Sequence, residues 1–173
     1  NPAYSGGAMT TLSVHVEPDN ESTVGWDWYQ KLADNDVKME QSNGTLLTKV
    51  ASGEYKGAVI VDYLPRNSKN EGSPIDYVYP ESGSVLIPTP LCLMDNMSDD
   101  DKAAAEAFVN YMFDIETQKL FVQQGYVPMI SEAAEGTEVP TIDDIKVLPM
   151  DVNYMRENSG SMLEKFTSIF GAQ

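Results

Sequence analysis

The chain has 173 residues, which is enough to bury a sizeable core and fits one domain or slightly more. Its 27 acidic and 11 basic residues give a formal net charge of -16, which argues against nucleic acid or an anionic membrane surface as a partner, because both are bound chiefly by Lys and Arg clusters. A single cysteine excludes an internal disulfide and a cysteine-rich zinc site, and no apolar run approaches the roughly 18 residues of a membrane span.

The first predicted element is a helix that begins at Gly6, with Ser5 as its N-cap, because apolar residues recur at helical spacing from Met9 onward. Glycines weaken a helix interior, but at a first turn they leave the backbone amides accessible. These amides lack helical partners and lie at the positive end of the helix dipole. Residues 5–8 are therefore a candidate anion site, and an ordinary capped helix is the alternative interpretation.

Two more helices and a short strand are predicted before residue 54. Aromatic and apolar residues recur at helical spacing over residues 26–33, until Asp34 and Asn35 stop the pattern. Residues 37–41 alternate as a strand does. The turn at residues 42–44 leads into a short helix that ends at Gly53.

The stretch GAVIVDYL, residues 57–64, is predicted to be a central strand buried on both faces, because its apolar character is nearly continuous. Pro65 should end this strand, and the polar residues that follow should lie at the surface before a second short strand at 75–79. The proline-containing run SVLIPTPLCLM is predicted to be extended, at a sheet edge or in a crossing between lobes. Its Cys92 is expected to be a buried, inert thiol.

The rest of the chain is predicted to be mainly helical. Ser98 caps a long helix whose first turn holds Asp99 to Asp101, which is typical of capping rather than of a calcium loop. Asp114 caps another helix that ends at Gly125, residues 131–141 form a surface loop, and an amphipathic helix closes the chain. The expected inward residues are Phe108, Tyr111 and Met112, then Leu120 and Phe121, then Met162, Leu163, Phe166 and Ile169. Strands alternating with helices predict an α/β fold with a mixed sheet flanked by helices.

The catalytic inventory is thin, because the chain has one histidine, His15, and none of the common nucleophile, zinc or phosphate-loop motifs. An enzyme that acts on phosphate esters or sugars remains an alternative. Binding is better supported, since two helix entrances, at residues 5–8 and 43–45, and the strand end at Asp62-Tyr63 can converge at the carboxyl edge of a sheet. Routine turns and strand exits are the competing interpretation.

The order of motifs resembles the ABC-importer solute-binding proteins of the ferric-iron and phosphonate type, which are type II periplasmic binding proteins. NPAYSG, W-x-W-Y-x-K-L, TKVASGEYKGAVIVDYL, EGSPIDYVYPESG and AAAEAFVNYMFDIETQKLFVQQGYVPM follow one another collinearly over residues 1 to about 130. The most telling positions are Gly53-Glu54, Pro80 with Gly83, Gln118, and the run 125–128.

The resemblance implies a non-catalytic, bilobal receptor outside the cytoplasm, in the periplasm or as a cell-surface lipoprotein, without a cofactor. Such a receptor closes on its ligand and delivers it to an ABC permease in the membrane. Because family members are much longer, the chain is expected to be a carboxy-terminal piece that lacks its amino-terminal lobe. Residues 1–84, joined by helices from 140–173, are expected to form the ligand-binding lobe, and residues 85–139 to belong to the other lobe. An adhesion or sensor module with the same fold is a further alternative.

The ligand predicted from this resemblance is a small anion. Ferric-iron members place two adjacent tyrosines after the buried strand, whereas this chain reads Asp62-Tyr63-Leu64 and lacks one of them. Ferric iron, held by Tyr63 and Asp62, is therefore the alternative, and a phosphonate, sugar phosphate or carboxylate is preferred. The predicted ligand-binding residues are Ser5, Gly6, Gly7 and Ala8 for the anionic group, and Asn43, Thr45, Asp62 and Tyr63 for specificity.

Overall fold

The computed structural model describes residues 1–171, and the last two residues of the predicted 140–173 segment lie outside the described part. Capping side chains and helical apolar spacing produce a succession of α-helices. In chain order these are α1 (Gly6–Val16), α2 (Gly25–Asp34), α3 (Asn43–Ala51), α4 (Tyr63–Asn70), α5 (Asp99–Met112), α6 (Ile115–Gln123) and α7 (Val152–Phe170). Short 3-10 helices occupy Ser131–Ala134 and Ile142–Asp144.

The chain divides into two compact units. Unit 1 contains residues 1–61 and 78–87 together with the chain from Lys146 onward, and so includes α1, α2, α3 and α7. Unit 2 contains residues 62–77 and 88–145, and so includes α4, α5, α6 and both 3-10 helices.

The predicted mixed sheet is absent from the described residues, so the α/β fold class is wrong. The β-pairing in residues 1–171 is one parallel bridge between Ser84 and Val147, in which the Ser84 amide donates to Lys146 at 2.8 Å and the Leu148 amide donates to Ser84 at 2.9 Å. Residues 57–61 are not part of a strand, and Val59 is 70% exposed. A strand requires a partner that accepts and donates its backbone hydrogen bonds, and an apolar run does not supply one.

The polar run after Pro65 is also different from its prediction. Helix α4 begins at Tyr63 and includes Pro65 in its first turn, where the missing amide proton leaves no helical hydrogen bond unmade. Arg66, expected at the surface, is buried. The predicted strands at 37–41 and 75–79 have no strand assignment.

The core of unit 1 lies where α1, α2 and α7 pack together. Their buried side chains form one apolar cluster, made of Leu12, Val16, Tyr29, Met162 and Phe166. The predictions of helices at Gly6, at residues 26–33 and at the end of the chain are confirmed. This packing buries the C-terminal half of α1 and leaves Gly6, at its start, exposed.

Unit 2 has a smaller core, in which α6 packs on the 3-10 helix Ser131–Ala134. Its buried apolar residues are Val122, Ala133 and Ala134. Helix α5 is capped by Ser98 as predicted, but none of its described residues is buried and Phe108 is 54% exposed, so the expected inward face is wrong. Cys92 is exposed rather than buried. Periodicity shows which side chains share a face, but burial also needs a second element to cover that face.

Candidate functional site

The start of α1 has the geometry that the sequence predicts. The Ser5 hydroxyl accepts a hydrogen bond from the Ala8 amide at 3.2 Å, and the Ser5 carbonyl accepts from the Met9 amide at 2.9 Å. Within residues 1–171 the amides of Gly6 and Gly7 have no hydrogen-bond acceptor. Two backbone donors of the first turn therefore remain for a ligand or water.

The two amides are accessible because Gly6 and Gly7 have no side chains to cover them. A Cβ atom at Gly6 would meet no heavy atom within 4 Å, and one at Gly7 would lie 3.3 Å from the Ile87 side chain. The first turn of α1 contains no acidic residue, so no carboxylate opposes an anion at the positive end of the helix dipole. The start of α1 is thus open, electropositive and supplied with free donors, as an oxyanion site requires.

The start of α3 is capped by Ser42, a residue that the sequence interpretation did not single out. The Ser42 hydroxyl accepts from the Thr45 amide at 3.1 Å and lies 2.9 Å from the Thr45 hydroxyl. Thr45 therefore already takes part in the cap. Asn43 is the first helical residue and is half-buried, so its side-chain amide remains a candidate contact.

A network of charged side chains lies beside α3. Lys49 forms ion pairs with Glu40 at 2.9 Å and Glu54 at 3.0 Å, and the Tyr55 hydroxyl donates to Glu40 at 2.6 Å. Hydrogen bonds to Glu40 and Glu54 raise the pKa of Lys49. Because Lys49 has its ion-pair partners within the protein, we interpret this network as structural. It connects α3 to the loops on either side of it.

His15 is half-buried beside the core of unit 1. Its Nδ1 atom is 3.0 Å from the Tyr29 hydroxyl, and its ring packs edge-on against Trp28 at a centroid distance of 5.6 Å. Burial lowers the pKa of His15 to about 4, so the ring is neutral at physiological pH. This environment is that of a residue packed beside the core.

In unit 2, the predicted site residue Asp62 has a partner within the protein. Its carboxylate accepts a hydrogen bond from the Arg66 guanidinium, which also donates to the Gly125 carbonyl. Arg66 is only 1% exposed. Because these contacts compensate for burial of the guanidinium, Asp62 is committed to a structural ion pair.

Tyr63, the other predicted site residue of unit 2, faces a tyrosine that the sequence interpretation missed. The rings of Tyr63 and Tyr126 lie 4.7 Å apart between centroids, at an interplanar angle of 39°. A hydrogen bond to Tyr126, with a contribution from burial, raises the pKa of Tyr63. Tyr126 stands in the motif GYVPM at the end of α6, and nothing in the sequence shows which element it contacts.

Unit 2 also contains a cavity of about 440 Å³. Its charged lining residues are Arg66, Lys119, Glu135 and Glu138, so it presents charges of both signs. Among residues 1–171 no cluster of three or more His, Cys, Asp or Glu is arranged to hold a metal ion. Nor does this part of the chain contain a helix long and apolar enough to cross a membrane.

The predicted ligand-binding residues fall into two groups. Residues 5–8, Asn43 and Thr45 belong to unit 1, whereas Asp62 and Tyr63 belong to unit 2. The convergence of all of them on one cleft stays a prediction. What the structure describes is the local chemistry of each group.

The class of protein follows from a comparison with known families. The sequence model of a family described as "Bacterial extracellular solute-binding protein" matches residues 2–147, so the chain belongs to that family. The match is to the family as a whole and does not distinguish receptors for iron, phosphonate or other solutes.

An individual relative has a named ligand. The chain is 27% identical over 149 residues to a sulfate-binding protein of Synechocystis, and the match covers 84% of this chain and 36% of that protein. The chain therefore spans little more than a third of the length of the curated relative. No solved structure matches the chain.

Proposed function

We propose that the chain forms part of the solute-binding component of an ABC importer, located outside the cytoplasm. In this proposal the protein performs no catalysis. It binds a small anionic solute and delivers it to a permease in the membrane. Membership of the extracellular solute-binding family supports the proposal, as does the collinear order of motifs along residues 1 to about 130.

The observation that carries the anionic ligand is the start of α1. The amides of Gly6 and Gly7 are free of acceptors within the described chain, the first turn has no carboxylate, and Gly6 is open to its surroundings. An oxyanion accepts hydrogen bonds from such amides and gains from the helix dipole. The global charge of -16 does not prevent this, because the holding groups are local donors.

The solute class is a compact oxyanion. The motifs favour a phosphonate, a sugar phosphate or a carboxylate, and the named relative from Synechocystis adds sulfate to these candidates. All four present acceptor oxygens and negative charge to backbone amides. Three of the residues proposed for specificity already have partners: Thr45 in the α3 cap, Asp62 in the ion pair with Arg66, and Tyr63 in the contact with Tyr126. Asn43 is therefore the stronger candidate for a solute contact.

Ferric iron is less well supported by the same residues. Iron requires deprotonated phenolate and free carboxylate oxygens. A hydrogen bond to Tyr126 raises the pKa of Tyr63 and so opposes formation of the phenolate, and Asp62 accepts a hydrogen bond from Arg66.

A thermal-shift screen of the full-length gene product tests the proposal. The ligands are sulfate, inorganic phosphate, methylphosphonate, glucose 6-phosphate, citrate and a ferric salt. A solute at about 100 times its Kd should add about 2.7 kcal/mol to the stability of the folded state and raise Tm. We expect such a shift with at least one oxyanion.

Two results would contradict the proposal. A shift with ferric iron alone would show that the metal alternative is correct. Hydrolysis of a generic phosphate ester or glycoside by the same preparation would show that the protein is an enzyme.

A further inference from the structure

Tyr126 has an exposed side chain, and side-chain hydrogen bonds hold the backbone that leads into it. Tyr126 is 45% exposed, and its ring packs at a tilt against that of Tyr63, the first residue of α4. The residue before it, Gly125, is buried at the end of α6. The position of Tyr126 therefore depends on how this short connection is fixed to α4.

Two consecutive residues of α4 fix that connection. The Arg66 guanidinium donates to the Gly125 carbonyl, and the Asn67 side-chain amide donates to the Gln124 carbonyl at 3.0 Å. Both carbonyls belong to the end of α6, where helical acceptors have no partners of their own. These contacts set the backbone that leads into Tyr126.

Glycine is required at position 125. Its φ is +88°, and a Cβ atom there would lie 2.7 Å from the Asn67 side-chain oxygen and 3.2 Å from the Tyr63 Cβ. A larger residue would be strained in conformation and would also collide with α4. The close approach of the two segments brings Tyr126 onto Tyr63.

The folding stability that Arg66 and Asn67 contribute does not explain why the segment they fix carries an exposed tyrosine hydroxyl. A buried guanidinium is costly unless its partners are well placed, and here one of its partners, the Gly125 carbonyl, belongs to the residue before a side chain that remains open to solvent. A preorganised ligand contact needs both features: a fixed backbone and an accessible polar group at the end of the side chain.

We propose that Tyr126 is a solute-contacting residue of unit 2, whose hydroxyl donates a hydrogen bond to an acceptor oxygen of the anionic solute. This inference rests on the proposed function, because it assumes an oxyanion ligand. It assigns the direct contact to Tyr126 and an orienting role to Tyr63.

The number of protons that the two hydroxyls can donate supports these separate roles of Tyr126 and Tyr63. A tyrosine hydroxyl has one proton to donate. When Tyr63 donates its proton to Tyr126, the proton of Tyr126 is left for an outside acceptor. The hydrogen bond to Tyr126 raises the pKa of Tyr63, as is expected when Tyr63 is the donor.

Isothermal titration of the full-length gene product with sulfate, inorganic phosphate and methylphosphonate tests the inference. We expect Tyr126→Phe to weaken the affinity for the bound anion by about tenfold, since a hydrogen bond to a charged group is lost. Tyr63→Phe should weaken it less, because the donor on Tyr126 remains. Tyr111→Phe, at an exposed tyrosine of α5, is the matched control and should leave Kd unchanged.

The possible outcomes separate this inference from the proposed function. Because the phenyl ring is retained, Tyr126→Phe should keep the wild-type Tm, and a loss of affinity at constant Tm supports a direct contact. An unchanged Kd in Tyr126→Phe, with an anion bound by the wild type, overturns the inference alone. Failure of the wild type to bind any of these three anions, or glucose 6-phosphate or citrate in the thermal-shift screen, overturns both. Binding of a ferric salt that Tyr126→Phe abolishes would also overturn it, because the phenols would then be metal ligands.

Discussion

Helices α1 and α5 begin with the same kind of cap but differ in the charge of the turn that follows it. In each, a serine hydroxyl accepts a hydrogen bond from the amide three residues later at 3.2 Å, Ser5 from Ala8 and Ser98 from Asp101. The first turn of α5 then contains three aspartates, whereas the first turn of α1 contains two glycines and no acid. A serine cap therefore does not by itself define an anion site, and the charge of the turn that follows decides.

The two helices also differ in how they are held. The C-terminal half of α1 is packed into the core of unit 1, but α5, all of whose residues are described, buries none of them. A helix whose far end is fixed presents its first amides in a constant position. This is the preorganisation that a binding site needs and that a terminal cap alone does not give.

Truncation of a buried side chain should produce the largest difference in unfolding free energy between α1 and α5. Leu12→Ala removes a fully buried side chain and should lower the free energy of unfolding by about 2–5 kcal/mol. Val109→Ala, at a half-buried position of α5, should cost less than about 1 kcal/mol. Urea unfolding followed by far-UV circular dichroism measures both. Equal losses would show that α5 is as firmly packed as α1.

Acid should weaken the anchored end of α1. The pKa of His15 is about 4 in the folded protein, because burial disfavours its charged form, and about 6.5 when unfolded. Between these values the unfolded chain binds the proton and the folded chain does not, so this contribution to stability is lost as pH falls from about 6.5 to about 4.

The full titration of His15 corresponds to roughly 3 kcal/mol at most. Denaturation curves read by the fluorescence of Trp26 and Trp28, which pack beside this cluster, should show the loss. His15→Phe should unfold with a flatter pH dependence between pH 6.5 and 4. The same slope in both proteins would show that other groups cause the acid sensitivity.

Removing the caps should have the smallest effect and should be similar in the two helices. Ser5→Ala and Ser98→Ala should each cost about 1 kcal/mol of local helix stability, because each leaves one first-turn amide without its acceptor. Hydrogen–deuterium exchange, read by mass spectrometry on peptides from each helix start, should therefore speed up about fivefold in the altered helix. Added sulfate should slow exchange at the start of α1 and leave α5 unchanged. Equal protection of both helices by sulfate would remove the distinction between them.

The sequence identified features that depend on neighbouring residues. Ser5, Ser98 and Asp114 are caps because a side chain reaches an amide two or three residues away, and these three helix starts are confirmed. Gly53 follows α3 with a φ of +80°, as predicted for its end. Local stereochemistry is sufficient in each case.

The features that were missed depend on distant partners. The strand at 57–64 was predicted from its apolar run, but no described segment pairs with it, and its last two residues belong to α4. The position of Tyr126 follows from Arg66 donating to Gly125, 59 residues away along the chain. The exposed face of α5 likewise reflects what packs against it. Hydrophobic periodicity contains no information on such partners.

The central claim is that the start of α1 holds an oxyanion, and the most direct test is to give α1 the charge that α5 has. Gly6→Asp introduces a carboxylate where a Cβ atom meets nothing within 4 Å, so the fold should be preserved, and an acid in a first turn favours the helix.

Calorimetric titration of the full-length gene product with sulfate and inorganic phosphate compares this variant with the wild type. The matched control is Gly160→Asp, at an exposed glycine of α7 where a Cβ atom also meets nothing within 4 Å. We predict that Gly6→Asp weakens anion binding at least tenfold, or about 1.4 kcal/mol, with no fall in Tm, and that Gly160→Asp leaves Kd unchanged. Unchanged binding in Gly6→Asp would contradict the account.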